Sequence, residues 1–265
     1  MRKLVVILAV GAIAAVVVAF MATRGGSSAG KGIVFQARVG GTYQLFTIDP
    51  DGSHLRQITH LSIPHSGIPG VDSPAWSPDG KTIIFDTDYH GTKQDRINLF
   101  TIRPDGSGLL EVPLEIGMFS GAPAYSPDGK TISFDWDASD VGPHQQGIDF
   151  ANADGSEVRR FTSLDSPTVL HQRTNWSPDG QRILFTEKHG DAESSIVVLR
   201  LDGTGRKELT RWALDANNGK WSPDGALVAF NSYSAPTPAG ESANLYVIRP
   251  DGTGLVQLPT TPAGG

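Results

Sequence analysis

Trp176-Ser177-Pro178-Asp179-Gly180-Gln181-Arg182-Ile183-Leu184-Phe185 decides the fold, because the chain writes this phrase four times. It recurs as Trp76-Ser77-Pro78-Asp79-Gly80-Lys81-Thr82-Ile83-Ile84-Phe85, as Tyr125-Ser126-Pro127-Asp128-Gly129-Lys130-Thr131-Ile132-Ser133-Phe134, and as Trp221-Ser222-Pro223-Asp224-Gly225-Ala226-Leu227-Val228-Ala229-Phe230. The four serines stand 49, 51 and 45 residues apart. A period of that size belongs to solenoids, propellers and arrays. Within each copy, Pro presets φ at the first corner of a tight turn, Asp tolerates the second, and Gly takes the place a side chain would crowd. The apolar residues that follow (Ile83 and Phe85, Ile132 and Phe134, Ile183 and Phe185) alternate with period two, the mark of a strand.

A second phrase follows each first one. Asn98-Leu99-Phe100-Thr101-Ile102-Arg103-Pro104-Asp105-Gly106 is one copy and Asn244-Leu245-Tyr246-Val247-Ile248-Arg249-Pro250-Asp251-Gly252 another. Further copies end at Asp51-Gly52, Asp154-Gly155 and Asp202-Gly203. Each reads as a strand running into an Asp-Gly hairpin turn. A last short strand is predicted over 55–59, 109–112, 158–162, 207–210 and 255–258. Four short antiparallel strands per repeat describe a propeller blade. The predicted fold class is therefore all-β: a β-propeller of four-stranded antiparallel blades, five in number, preceded by an N-terminal apolar helix.

The paired phrases resemble the TolB-type, WD-like propeller family over roughly Gly32 to Leu258. The resemblance is specific for fold and much less so for function. TolB itself, a periplasmic component of the Tol–Pal envelope system, carries an α/β domain and six blades. This sequence shows five blades and no room for that domain, so its role does not transfer directly.

Blade 1 starts in mid-repeat, with strands predicted over 32–36, 43–48 and 55–59, whereas 72–113, 121–162, 172–210 and 217–258 read as complete blades. The total is nineteen strands, one short of a closed five-bladed ring. Residues 259–265 could supply the missing strand, although Pro259 and Pro262 suit it poorly.

Ahead of the propeller, Met1-Arg2-Lys3 precedes an unbroken apolar or Gly stretch of 19 residues, Leu4 to Ala22. That length lies between a secretory core and a spanning helix. Residues 1–22 are read as a signal-anchor or signal peptide, 23–31 as a flexible Gly/Ser linker and 32–265 as the propeller. Either reading delivers the propeller outside the cytoplasm, membrane-anchored or secreted and periplasmic. The chain has no cysteine, so disulfides, thiolate metal sites and a lipoprotein anchor are excluded. A net charge of −6 argues against nucleic acid as partner. Gly26-x-Ser28-x-Gly30 matches a nucleophile elbow in letters only, since a flexible linker offers neither strand nor helix.

Alternating strand direction puts the uniform Ser-Pro-Asp-Gly and Asp-Gly turns at one end of every blade and the irregular loops at the other. Binding residues concentrate on variable loops carried by a rigid frame. Asp86, Asp88, Asp135 and Asp137 fall there, as do Glu187, His189 and Asp191, and Trp136 and Trp212 lie outside the repeat on the same side. The two tryptophans and four aspartates are the candidate ligand-binding residues. His65, His90, His171 and His189 are the candidate metal ligands, imidazole and carboxylate being the usual ligands of zinc, manganese or iron. No His-Glu-x-x-His spacing occurs, and Asp135-x-Asp137-x-x-Asp140 lacks the glycine and terminal Glu of an EF-hand. Asp79, Asp128, Asp179 and Asp224 belong to tight turns, while Trp76, Trp176, Trp221 and Tyr125 fill wedges between blades.

These features predict a binding or scaffold propeller that recognises a protein or cell-envelope component, with no nucleic acid, no cofactor, and the membrane met only through the N-terminal segment. The alternative is a metal-assisted hydrolase or lyase acting on a glycan or lactone, with a divalent metal at the histidines. The sequence leaves enzyme activity open and favours binding.

Overall fold

Nine Asp-Gly turns punctuate the chain, and each is wired internally. In a computed structural model, the four Ser-Pro-Asp-Gly turns share one pattern. The serine hydroxyl donates to the aspartate Oδ1 at 2.5–2.8 Å, and that oxygen accepts the N–H two residues on at 3.0–3.1 Å. The other five turns carry Ser or Thr two residues after the aspartate. Its backbone N–H and its hydroxyl both donate to the same Oδ1, as at Asp105–Ser107 (2.9 and 2.6 Å) and Asp251–Thr253 (2.9 and 2.6 Å). A carboxylate holding two short donors favours its charged form. The hydrogen bonds from Ser77 and Lys81 accordingly hold Asp79 below the usual carboxylate range, and those from Ser107 do the same for Asp105.

The structure describes residues 5–6, 19–20, 32–61, 70–89, 97–114, 119–137, 146–162, 169–190, 193–232 and 244–258. In the N-terminal segment, β1 (Val5–Val6) pairs antiparallel with β2 (Ala19–Phe20). The rest of that segment, and with it the predicted apolar helix, lies outside the described residues. Among the described residues no helix is long and apolar enough to cross a membrane.

Arg24–Asp165 forms one compact unit with three blades. Blade 1 is three-stranded: β3 (Ile33–Val39), β4 (Thr42–Ile48) and β5 (Arg56–Gln57). Blade 2 consists of β6 (Val71–Trp76), β7 (Ile83–Thr87), β8 (Asn98–Ile102) and β9 (Leu110–Glu111). Blade 3 is β10 (Phe119–Tyr125), β11 (Thr131–Asp137), β12 (Gln146–Asn152) and β13 (Arg159–Arg160). Met1–Thr23 and Ser166–Gly265 form the second unit. Its blade 4 is β14 (Val169–Trp176), β15 (Arg182–His189), β16 (Glu193–Arg200) and β17 (Lys207–Glu208). Its blade 5 is β18 (Ala216–Trp221), β19 (Val228–Ser232), β20 (Asn244–Ile248) and β21 (Val256–Leu258). All pairings within the blades are antiparallel and sequential, so blade 1 lacks a fourth strand among the described residues, as its sequence predicts. Residues 259–265 lie outside them.

The second strand of blades 2 to 5 is buried along most of its length. Phe85, Phe134, Phe185 and Phe230, each the last residue of its repeated phrase, have at most 1% of their surface exposed. Burial of each such ring is worth about 2 kcal/mol. Three of the four aromatics that open the phrases share a hydrophobic cluster with the preceding blade of their own unit. Trp76 joins the cluster that contains Leu45 and Ile58 of blade 1, Tyr125 the one that contains Ile84 and Leu99 of blade 2, and Trp221 the one that contains Leu184 and Ile196 of blade 4. That is the wedge-filling role their position predicts. Between blades 1 and 2, Gly70 makes a parallel bridge to Tyr43. Its φ is +110°, and a Cβ there would stand 2.4 Å from the Tyr43 carbonyl oxygen, so only glycine fits.

The fourth strands are shorter than the sequence suggests. Their ladders end where a threonine replaces a backbone acceptor. Thr59, Thr162 and Thr210 accept the N–H of Leu45, Ile148 and Ile196 through their hydroxyls at 2.8, 2.9 and 3.0 Å. A second feature escaped the sequence. The first strand of blades 2 to 5 carries a register shift: between Asp72 and Ala75, Gly121 and Ala124, Gln172 and Asn175, and Asn217 and Lys220. At each shift one non-glycine residue is left-handed: Ser73 (φ 49°), Ala122 (45°), Arg173 (58°) and Asn218 (55°). Four bulges at one repeat position are a designed feature rather than a defect. No glycine takes the left-handed position, which is why the sequence hides them.

Candidate functional site

The irregular end of blade 4 gathers the densest set of charged side chains described. Glu187 sits near the end of β15 with 5% of its surface exposed. Strand pairing sets His171 of β14 opposite it, and the alternation of the strand brings His189 to the same side. His171 Nε2 is 3.2 Å from one carboxylate oxygen and His189 Nε2 3.2 Å from the other. Arg206 Nη2 donates to both, at 2.7 and 2.8 Å. Burial pushes the Glu187 carboxyl up, but the bonds from His171 and Arg206 outweigh it and hold the group at about 2. Glu187 is thus an ionised carboxylate whose acceptor capacity is spent on three basic side chains.

Aromatic rings pack around this cluster. His171 lies 4.8 Å from the Phe185 ring and His189 4.2 Å from Trp212. Trp212 opens a short 3₁₀ turn, Trp212–Leu214, in the connection to blade 5. The turn is pinned by Asp215, left-handed at φ 44°, which accepts from the Ser194 hydroxyl at 2.7 Å. Ser232 donates to the Leu214 carbonyl. Trp212 therefore stays half-buried at the rim, a fixed aromatic beside an imidazole.

In the other unit, Asp86 and Asp135 occupy equivalent positions on β7 and β11, one residue past the buried phenylalanine, and both are buried. Asp86 Oδ1 accepts the N–H of Ala122, the bulge residue of blade 3, at 3.2 Å. Gly121 lies between them: a Cβ there would be 3.3 Å from Asp135 Oδ1 and 3.8 Å from Asp86 Oδ2. Asp88 is likewise buried, while Asp137 is half-buried at the end of β11.

Trp136 corrects the expectation of an exposed binding aromatic. Only 2% of it is accessible. It lies across Gly147, and the Arg160 guanidinium covers its ring 3.6 Å from the centroid. Arg160 is held in turn by Asp149 at 2.8 Å. Burial raises the Asp149 carboxyl above its ordinary range despite the arginine. The stack is a packing device across blade 3: a ring in a strand points into a layer, and here the neighbouring strand carries a glycine to receive it.

Of the proposed metal ligands, His65 and His90 lie outside the described residues. His171 and His189 do converge, but on Glu187, and Arg206 already bridges both carboxylate oxygens. A guanidinium in that place opposes a metal cation. Among the described residues no group of three His, Asp or Glu side chains has the arrangement to hold a metal ion. Arg206 was missed by sequence reasoning because it follows an Asp-Gly turn, a region that reads as scaffold. The only available signal was a basic residue facing the acidic strand position of its own blade.

The profile of the TolB beta propeller domain matches residues 65–263. No curated protein matches the chain. Among solved structures, TolB from Acinetobacter baumannii superposes with a TM-score of 0.63 at 18% identity, covering 84% of this chain and 50% of that one. This chain thus spans about half the length of that relative. A protein assigned as TolB from Agrobacterium tumefaciens gives a TM-score of 0.61 at 18% identity, over 81% of this chain and 73% of that one. Oligogalacturonate lyase from Vibrio parahaemolyticus gives 0.52 at 16% identity, over 81% and 60%. At these identities the likeness is one of fold.

Proposed function

The chain belongs to the TolB β-propeller domain family, and from that premise we propose an extracytoplasmic binding propeller that recognises a protein or cell-envelope component through its irregular loops. The carrying observation is the contrast between the two ends of the blades. At one end nine turns repeat two closely related internally bonded designs, which leaves little chemistry to distinguish one blade from another. At the other end the side chains differ blade by blade. Blade 4 presents Trp212, His189 and Arg206 around a buried carboxylate, while blades 2 and 3 bring Asp86, Asp88, Asp135 and Asp137 to the corresponding strand ends. Arg and Trp at such a rim are the residue types that anchor protein interfaces. The apolar stretch Leu4 to Ala22 supports delivery across the cytoplasmic membrane, as an anchor or a cleaved signal.

The test uses a photo-crosslinking amino acid in the full chain, placed at Trp212 in one variant and at Asp105, in a uniform turn, in another. A discrete adduct from the Trp212 position alone supports the reading; adducts from Asp105 alone, or from neither, overturn it. The metal-assisted hydrolase or lyase reading needs ligands that His171, Glu187 and His189 do not supply. Elemental analysis of the dialysed full chain is expected to find no metal that depends on His171 and His189. A stoichiometric metal lost on replacing His65 or His90 would restore that reading.

A further inference from the structure

The repeat contains its own comparison. In blades 2 and 3 the bulge N–H of Ala122 meets the Asp86 carboxylate, with Asp135 on the other side of Gly121. The equivalent positions in blades 4 and 5 are Thr186 for Asp86, Asn217 and Asn218 for Gly121 and Ala122, and Asn231 for Asp135. Both carboxylates have been replaced by neutral groups. Three buried polar atoms then have no hydrogen-bond partner: Thr186 Oγ1, Asn217 Oδ1 and Asn231 Oδ1. Thr186 is 0% exposed and Asn231 5%. Leaving such groups unmet is costly, so a ligand that meets them is favoured.

Positive charge enters where the negative charge has left. Arg173, the left-handed bulge residue of blade 4, donates from Nη1 to Asn218 Oδ1 at 2.9 Å. Lys220 lies two residues beyond Asn218 on β18, and β14, β15 and β18 pack on one another. Burial and the Arg173 charge push the Lys220 amine down to about 8. Among the described residues no ion pair joins either cation to a carboxylate. Glu187, next to Thr186, is engaged by His171, His189 and Arg206. Gly219 brings the strands close: a Cβ there would lie 2.3 Å from Leu184 Cδ2.

We propose that the first strands of blades 4 and 5, backed by Thr186 and Asn231, form a binding site for a carboxylate-bearing ligand, held by Arg173 and Lys220. The ligand carboxylate takes the part that Asp86 plays in blades 2 and 3. A half-turn of the Asn217 and Asn231 amides, and the Thr186 hydroxyl, supply neutral donors to the same group. Arg and Lys together suit it, one as a planar fork and one as a compact charge. This site stands apart from the partner-binding reading above and survives its failure.

Succinate is the probe and inorganic phosphate the rival anion. The full chain is isotopically methylated at its lysines, and the Lys220 signal, assigned by its loss in Lys220→Arg, is titrated by NMR. Succinate is expected to raise the Lys220 pKa from about 8 by roughly one unit, saturably, with phosphate doing much less. Thr186→Asp writes the blade 2 aspartate into blade 4; it is expected to raise that pKa unaided and to abolish the succinate response. Asn231→Asp, the counterpart of Asp135, serves the same purpose should the first variant fold poorly. The proposal is overturned if succinate leaves Lys220 unchanged, if phosphate matches succinate, or if the folded aspartate variant still responds like the parent.

Discussion

Glu187 and Lys220 sit one repeat apart in opposite electrostatic situations, and their substitutions should move stability in opposite directions. Glu187 is a carboxylate held at about 2 by donors. Its folded value lies below the unfolded one, so its stabilisation is present above about 4.5 and lost as pH falls toward 2. Glu187→Gln keeps the shape but leaves Arg206 and the histidines facing a neutral amide. Urea unfolding at neutral pH is expected to show a loss on the order of 2 kcal/mol, shrinking toward zero in acid. Lys220 is depressed instead, so its charged form costs the fold below about 8 and the cost is relieved as pH rises from about 8 toward the ordinary value of 10.5. Lys220→Met is expected to stabilise the unliganded chain at neutral pH by on the order of 2 kcal/mol. A variant less stable than the parent would mean that Lys220 already has a counter-charge.

Elements were the most legible level, and they also show where legibility stopped. Asp and Gly at fixed offsets, with Pro in most copies, announced the nine uniform turns, because those residues act through backbone geometry that a sequence records directly. The threonine that ends three of the fourth strands was not legible. Its hydroxyl replaces a backbone carbonyl only once the third strand lies beside it. Thr210→Val removes the acceptor for the Ile196 N–H at 3.0 Å while preserving shape. It should cost on the order of 1–2 kcal/mol in thermal or urea unfolding, the usual penalty for a stranded buried donor. Gly70→Ala should be worse, since the new methyl meets the Tyr43 backbone and φ is +110°. The four bulges stayed hidden for a different reason. Ser73, Ala122, Arg173 and Asn218 share a conformation and no chemistry, so nothing in the letters groups them.

For the molecule as a whole, the count of five blades followed from period alone, since repetition multiplies a weak local signal. The candidate sites did not follow, because a site is what distinguishes one repeat from the next. Trp136 and Trp212 read alike in the sequence, yet one lies under an arginine and the other at a rim. The same repetition sets the chain's chemical ageing. Asp-Gly is among the dipeptides open to succinimide formation, in which the glycine nitrogen attacks the aspartate side chain with loss of water and hydrolysis then leaves isoaspartate. In all nine turns that nitrogen donates to the carbonyl three residues earlier, at 2.8–3.0 Å, so the folded chain withholds the nucleophile. Peptide mapping after prolonged incubation should find these nine aspartates intact in folded protein and isomerised in urea. Isoaspartate would then be a lasting record of time spent unfolded, written blade by blade.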